Sequence, residues 1–160
     1  MPDSRPPVDS TANGMVDSMA WLAAHREIDF TGDGVVDTVR LQAVGRDTDS
    51  LQIALTFWSG GTERWREVWA SGYELMVPRP PADSAARAAY LRARLDRVLA
   101  GVEVEPFDSA AYVTLAAPLD SAVLRRPPSR QVSVAYGYET TVVLAWDSVS
   151  GRLRRLHACC

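Results

Sequence analysis

Residues 29 to 44, DFTGDGVVDTVRLQAV, join a turn-forming segment to a strand-forming segment. The first part of this stretch carries aspartates at positions 29, 33 and 37 and glycines at positions 32 and 34, which is a turn-forming composition. After Gly34 the residues are largely β-branched and alternate between apolar and polar as far as Leu41, which predicts a β-strand. The chain is therefore expected to pass directly from an acidic loop into a strand.

The oxygen-bearing residues of this loop have the spacing of a calcium site. Counted from Asp29, positions one, five and nine are carboxylates and position three is the hydroxyl of Thr31. Gly34 at position six would form the sharp turn that such a loop needs, and Val35 would contribute its backbone carbonyl. Calcium takes about six to eight oxygens, which these groups and one or two waters supply. The predicted ligands are Asp29, Thr31, Asp33, Val35 and Asp37.

An EF-hand is disfavoured, because its loop ends in a glutamate at position twelve and is flanked by helices. Here position twelve is Arg40, and the loop leads into a predicted strand. In that context the loop resembles the D-x-[DN]-x-D-G-x-x-D loops of FG-GAP and VCBS-type repeats, which bind calcium in extracellular and cell-surface proteins. The resemblance covers one copy of the loop and the following strand, so it concerns the loop and not the fold. Thr31 replaces the Asp or Asn of that pattern, which predicts weaker binding.

A metal-free alternative stays open for the same residues. Aspartate side chains cap backbone amides and glycine supplies positive φ, so a turn before a strand would use them without any cation. If calcium binds, the absence of a glutamate at position twelve predicts an affinity of about 10⁻⁴ to 10⁻³ M, in the range of extracellular modules. Such a site is expected to be structural.

The composition is that of an ordinary globular domain, with 47% hydrophobic residues, 23% charged residues and a net charge of -3 over 160 residues. It shows no basic stripe for nucleic acid and no apolar run near the roughly 18 residues needed to span a membrane. Residues 1 to 14 are rich in Pro, Ser, Asp and Thr, which predicts a disordered tether. Residues 15 to 160 are predicted to form a single α+β domain.

Residue usage also bears on origin and location. All 17 basic residues are arginine, a bias typical of a GC-rich bacterial genome. A tether like residues 1 to 14 often follows the cleavage site or lipidated cysteine of an exported bacterial protein. We therefore expect a periplasmic, lipid-tethered or secreted protein, with a cytoplasmic location as the alternative.

The first half of the chain predicts an antiparallel meander preceded by a short helix. Residues 15 to 28 have near-helical spacing, with a strand ending at Ile28 as the alternative. Period-two patterns and the glycine turn at residues 60 and 61 then predict three strands. These strands are expected at residues 35 to 44, 51 to 58 and 63 to 75.

One long helix and a second meander follow. Asp83 or Ser84 caps a predicted helix that runs to about Ala100 and stops at Gly101. Three more strands are expected at residues 131 to 136, 139 to 146 and 152 to 157. The predicted fold class is thus α+β, an antiparallel sheet of about five or six strands in two meanders with one long helix packed on it.

The sequence contains no recognisable catalytic motif, so a non-enzymatic role is favoured. One alternative is a small-ligand binder or carboxylate-dependent hydrolase with Glu63 or Glu67 beside an aromatic-lined pocket. The aromatic residues of that pocket would be Trp58, Trp65, Trp69 and Tyr73. Another alternative is a protein-interaction adaptor or inhibitor that uses an exposed sheet edge. Arginines 87, 94 and 97 on the predicted helix are interpreted as a solvated face, with anion binding as the alternative.

Overall fold

Two antiparallel sheets of four strands each are present in the computed structural model, which describes residues 20–112, 128 and 130–159. The α+β class is confirmed. The prediction of a single sheet with five or six strands differs from this arrangement. Each predicted meander has one additional strand at its N-terminal side, and the two meanders form separate sheets. The predicted tether, residues 1 to 14, lies outside the described residues.

The first sheet consists of four strands in chain order. They are β1 (Ala20–Ile28), β2 (Asp37–Val44), β3 (Gln52–Ser59) and β4 (Thr62–Ala70). From Ala20 on, the segment expected as a short helix is a strand, which was the stated alternative. Its residues pair with β2 in a register that sets Ile28 opposite Asp37, so the acidic loop is the connection between the first two strands.

The turn from β3 to β4 needs its two glycines, since Gly60 and Gly61 have φ of 58° and 74°. Strand β4 ends at Ala70, five residues before the expected end at Leu75, and a short helix α1 (Ser71–Glu74) follows. The side chain of Ser71 explains the change. Its Oγ donates to the carbonyl of Thr48 and accepts from the backbone amide of Leu51, so the chain is turned back toward the β2–β3 connection.

Helix α2 (Ser84–Ala100) confirms the predicted long helix. Asp83 caps its N-terminus by accepting a 2.8 Å hydrogen bond from the amide of Ala86, and Gly101 ends it. It is the only helix of seven or more residues in the described ranges. Its apolar stripe is buried at four positions, which are Leu91, Leu95, Val98 and Leu99.

The second sheet follows the helix. Its strands are β5 (Glu103–Pro106), β6 (Arg130–Tyr136), β7 (Thr140–Asp147) and β8 (Arg152–Cys159). Between β5 and β6, residues 109–112 form a short 3₁₀ helix. Residues 113–127 lie outside the described residues.

The two sheets share one hydrophobic core. Phe30 contacts Phe57 of the first sheet and Trp146 of the second, with ring centroids 5.5 Å and 6.0 Å away. The rings of Trp69 and Tyr136 also contact each other between the sheets, with their centroids 4.4 Å apart. Helix α2 packs against β1, β2 and β6, so it closes one side of the structure, while β4 and β8 adjoin on the other.

None of the helices in the described part of the chain combines the length and the apolar character needed to cross a membrane.

Candidate functional site

The acidic loop, residues 29–37, runs from the end of β1 to the first residue of β2. Gly32 and Gly34 adopt φ of 79° and 82°, a region that residues with a side chain rarely occupy. A Cβ on Gly34 would meet no atom within 4 Å, so the backbone conformation and not lack of space requires glycine there. The predicted sharp turn at position six is thus present.

The carboxylate of Asp29 organises the exposed half of the loop. It accepts hydrogen bonds from the amide of Gly32 at 2.6 Å and from the amide of Gly34 at 3.0 Å. The hydroxyl of Thr31 lies 3.4 Å away and also donates to it. Asp33, farther along, caps the amide of Val35 at 2.8 Å. Both aspartates therefore act as turn-capping groups in this conformation.

Asp37 faces the other way, into the protein. It is 3% exposed, and its Oδ2 accepts hydrogen bonds of 3.1 Å from the amides of both Phe30 and Thr31. These two bonds close the loop across its base. They also fix the backbone at Phe30, whose ring is fully buried in the core between the sheets.

A residue of the second sheet reaches the same loop. Arg130 Nη1 donates a 3.2 Å hydrogen bond to the carbonyl of Asp29 and lies 4.0 Å from its carboxylate. Partial burial raises the pKa of the Asp29 carboxyl, but the amides of Gly32 and Gly34, with Arg130, outweigh this effect and hold the pKa below its ordinary value. Asp29 is therefore ionised at neutral pH, as a cation ligand must be.

The predicted ligands do not all converge. In residues 20–112, 128 and 130–159, no three His, Cys, Asp or Glu side chains lie close enough together to hold a metal ion. Asp29 and Asp33 lie on the accessible side of the loop, and carboxylate oxygens that accept one amide keep further acceptor capacity. Val35 is exposed beside them. Thr31 and Asp37 are buried. Of the five predicted ligands, Asp29, Asp33 and Val35 are therefore the ones that a cation can reach in this conformation.

The aromatic residues proposed for a pocket are distributed over different environments. Trp69 is buried and donates from Nε1 to Glu74 at 2.9 Å, and Tyr73 hydrogen-bonds to Thr140 at 2.6 Å. Trp58 lies under Arg40, whose guanidinium carbon is 4.7 Å from the indole centroid.

The void beside Trp65 and Glu67 is too small to be a binding pocket. Among the described residues, Trp65 and Glu67 border a void of about 10 Å³, which is too small for a substrate. The geometry needed for a carboxylate-dependent hydrolase at this position is not observed, and the aromatic side chains here serve packing.

A buried carboxylate that the sequence did not single out joins four elements. Glu74 is fully buried; its Oε1 accepts from Trp69 Nε1 at 2.9 Å and from the amide of Gly137 at 2.6 Å. Its Oε2 lies 3.3 Å from Arg94 of helix α2, which also donates to the carbonyl of Gly137 at 2.7 Å. Glu74 and Gly137 are 63 residues apart, so no local sequence pattern identifies this cluster.

A second polar contact joins the sheets where β4 and β8 adjoin. The hydroxyl of Tyr136 donates to Glu67 at 2.8 Å, and Arg155 donates to the same carboxylate at 2.7 Å. Burial, together with the hydrogen bond to Glu67, raises the pKa of Tyr136 well above its ordinary value. The phenol therefore stays protonated as a donor, which suits a structural link and not a general base.

Comparison of the chain with family models, with curated proteins and with solved structures gave no significant match.

Proposed function

We propose that this protein is a non-enzymatic α+β domain in which the loop 29–37 binds calcium and thereby stabilises the packing of the two sheets. The main support for this proposal is the position of Phe30. This residue lies inside the loop, yet its ring is fully buried between Phe57 and Trp146 of opposite sheets. A cation that holds the loop in its folded form would favour the whole core, because a ligand that binds only the folded state stabilises that state.

Asp29, Asp33 and the carbonyl of Val35 are the proposed protein ligands, with water completing the shell. Asp37 then has a supporting role, since it holds the amides of Phe30 and Thr31 from the buried side. With so few charged ligands we expect a dissociation constant of about 10⁻⁴ to 10⁻³ M. That range suits a periplasmic, lipid-tethered or secreted protein, which is the location we propose; a cytoplasmic location is the alternative.

Calorimetric titration of calcium into EDTA-stripped protein tests this proposal directly. Asp33→Asn is the informative variant, since an amide oxygen still caps the amide of Val35 but the charge that a cation needs is gone. Asp47→Asn is the matched control, because Asp47 caps the amide two residues on, at Asp49, in a different exposed turn. We expect the Asp33 variant to lose binding and the Asp47 variant to retain it.

Equal calcium affinity in the wild type and both variants would overturn the assignment of the loop, and no binding by any of them would overturn calcium binding altogether. Magnesium serves as a second comparison in the same experiment. It demands near-octahedral geometry and dehydrates reluctantly, so a loop with few carboxylates is expected to bind it more weakly than calcium.

We do not propose the carboxylate-dependent hydrolase or the pocket lined by the tryptophans. The hydrolase or aromatic pocket would need space beside Trp65 and Glu67, where the void is about 10 Å³. The adaptor or inhibitor, which would use an exposed sheet edge, stays a prediction.

A further inference from the structure

A polar cleft lies between helix α2 and the hairpin of β6 and β7, on a part of the surface that the calcium loop does not touch. Its volume is about 310 Å³, within the range of roughly 300 to 1,000 Å³ that small-molecule sites occupy. Arg94 and Arg97 line it from the helix, one turn apart. The hairpin faces them with residues 135 to 141.

Arg94 is held rigidly at the base of the cleft. Its guanidinium pairs with the fully buried Glu74 and donates to the carbonyl of Gly137. The positive charge of Arg94 is thus largely neutralised, and its role there is to fix the cleft wall. Since Glu74 also binds the amide of Gly137, the hairpin and the helix are locked together around this residue. The cleft is therefore preorganised.

Arg97 has the opposite character. Its Nε donates at 3.3 Å to the carbonyl of Ala93 within the helix, which orients the guanidinium. Within the described part of the chain, neither of its two terminal nitrogens has a hydrogen-bond or ion-pair partner. A guanidinium presents paired N–H groups that match the two oxygens of a carboxylate. Arg97 is therefore free to bind an anionic group inside the cleft.

The remaining lining indicates what kind of molecule carries that anion. Ala135 and the ring of Tyr138, both exposed, supply apolar surface, and Thr141 supplies a hydroxyl. Glu139 also lines the cleft, and Glu74 pairs with Arg94, so two carboxylates accompany the two arginines. This balance disfavours a dianion such as phosphate and favours a single negative charge attached to an apolar body.

We propose that this cleft binds a small organic monocarboxylate, with the carboxylate on Arg97 and the apolar part against Ala135 and Tyr138. The proposal does not depend on calcium binding by the loop. It rests on three features: a preformed cleft, Arg94 fixed in its wall, and Arg97, whose terminal nitrogens have no partner among the described residues.

Amide-resolved NMR titration with acetate, lactate and benzoate as probes tests the site, with benzamide as the uncharged analogue of benzoate. We expect at least one carboxylate to shift the amide resonances of Gly137 and Thr140, with benzamide at least tenfold weaker than benzoate. Inorganic phosphate is included and is expected to bind more weakly than the best carboxylate.

Arg97→Ala is expected to weaken binding of the best carboxylate at least tenfold. Because Arg97 is exposed, the variant is expected to fold normally, which its unperturbed remaining spectrum verifies. The matched control is Arg92→Ala on the same helix, where Arg92 stacks on Trp21 at 4.2 Å outside the cleft. The proposal is overturned if no probe shifts these resonances, if benzamide binds as well as benzoate, if phosphate binds best, or if the Arg97 and Arg92 variants behave alike.

Discussion

The ring of Phe30 meets the ring of Trp146 edge to face, with centroids 6.0 Å apart and planes at 68°. Phe30 belongs to the loop between the first two strands of one sheet, whereas Trp146 lies on β7 of the other. Arg130 of the second sheet adds a hydrogen bond to the carbonyl of Asp29, directly before Phe30. The conformation of the loop and the packing of the sheets are therefore energetically linked.

Phe30→Ala is expected to lower the free energy of unfolding by about 3 to 5 kcal/mol, the usual cost of removing a buried phenyl ring. Urea denaturation measures this change. Val36→Ala in the same loop is the control, because Val36 is 62% exposed and its loss is expected to change stability by less than about 0.5 kcal/mol. Similar effects of the two substitutions would contradict the linkage between loop and core.

Glu74→Gln is expected to destabilise the fold by about 2 to 4 kcal/mol, since the amide cannot satisfy Trp69, Gly137 and Arg94 together and leaves the buried guanidinium contact unpaired. Glu63→Gln is the comparison, because Glu63 pairs with Arg66 at the surface and such pairs contribute at most about 1 kcal/mol. Chemical denaturation of both variants, read by tryptophan fluorescence, checks the difference. An equal loss would show that Glu74 does not join the sheets.

Arg26→Ala is expected to fray the end of helix α2. Arg26 Nη1 donates at 2.8 Å to the carbonyl of Ala100, a group that a helix end leaves without an intrahelical partner. It also donates at 2.7 Å to the carbonyl of Val102, just beyond the helix. We expect a loss of about 1 to 3 kcal/mol and faster amide exchange near Gly101, measured by hydrogen exchange. Arg79→Ala, at an exposed position before the helix, is expected to leave that exchange unchanged.

Acid is expected to destabilise the protein through two aspartates whose pKa lies below its ordinary value. For Asp147 the main cause is the hydroxyl of Ser150, and for Asp29 the loop amides and Arg130 outweigh the effect of burial. A lowered folded-state pKa means that the stabilisation is complete above the ordinary carboxyl pKa of 3.8 and is lost as pH falls through the lower value.

The free energy of unfolding should therefore fall as the pH drops below about 3.8. Asp29→Asn and Asp147→Asn should each make this fall smaller, and the double variant should show the smallest fall. Urea titrations at several pH values test this expectation. If the free energy of unfolding of the double variant falls with pH as steeply as that of the wild type, other groups cause the acid sensitivity.

Local sequence signals were sufficient where one segment determines its own structure. Asp83 and Gly101 delimit helix α2, and Gly60 and Gly61 mark the β3–β4 turn. They failed at β1, where Arg26 occupies a half-buried position and interrupts the apolar alternation. Its partners are carbonyls more than 70 residues away, so nothing near Arg26 in the sequence explains its presence in a strand.

The same limit applies to the candidate sites. Spacing identified the acidic loop and its positive-φ glycine, but it could not show that Asp37 turns inward to hold the amide of Phe30. Neither could it show that Glu74 and Arg94 meet Gly137, because burial and long-range pairing decide that contact. Of the arginines expected on a solvated helix face, Arg94 is instead partly buried and paired.

The most direct test of calcium stabilisation is thermal unfolding in EDTA, in 10 mM calcium and in 10 mM magnesium. With a dissociation constant of about 10⁻⁴ to 10⁻³ M, calcium should raise the melting temperature by about 3 to 10 °C. Magnesium should do so less, and Asp33→Asn should abolish the rise while keeping the melting temperature in EDTA. An identical melting temperature in EDTA and calcium would mean that these aspartates serve only to cap the turn.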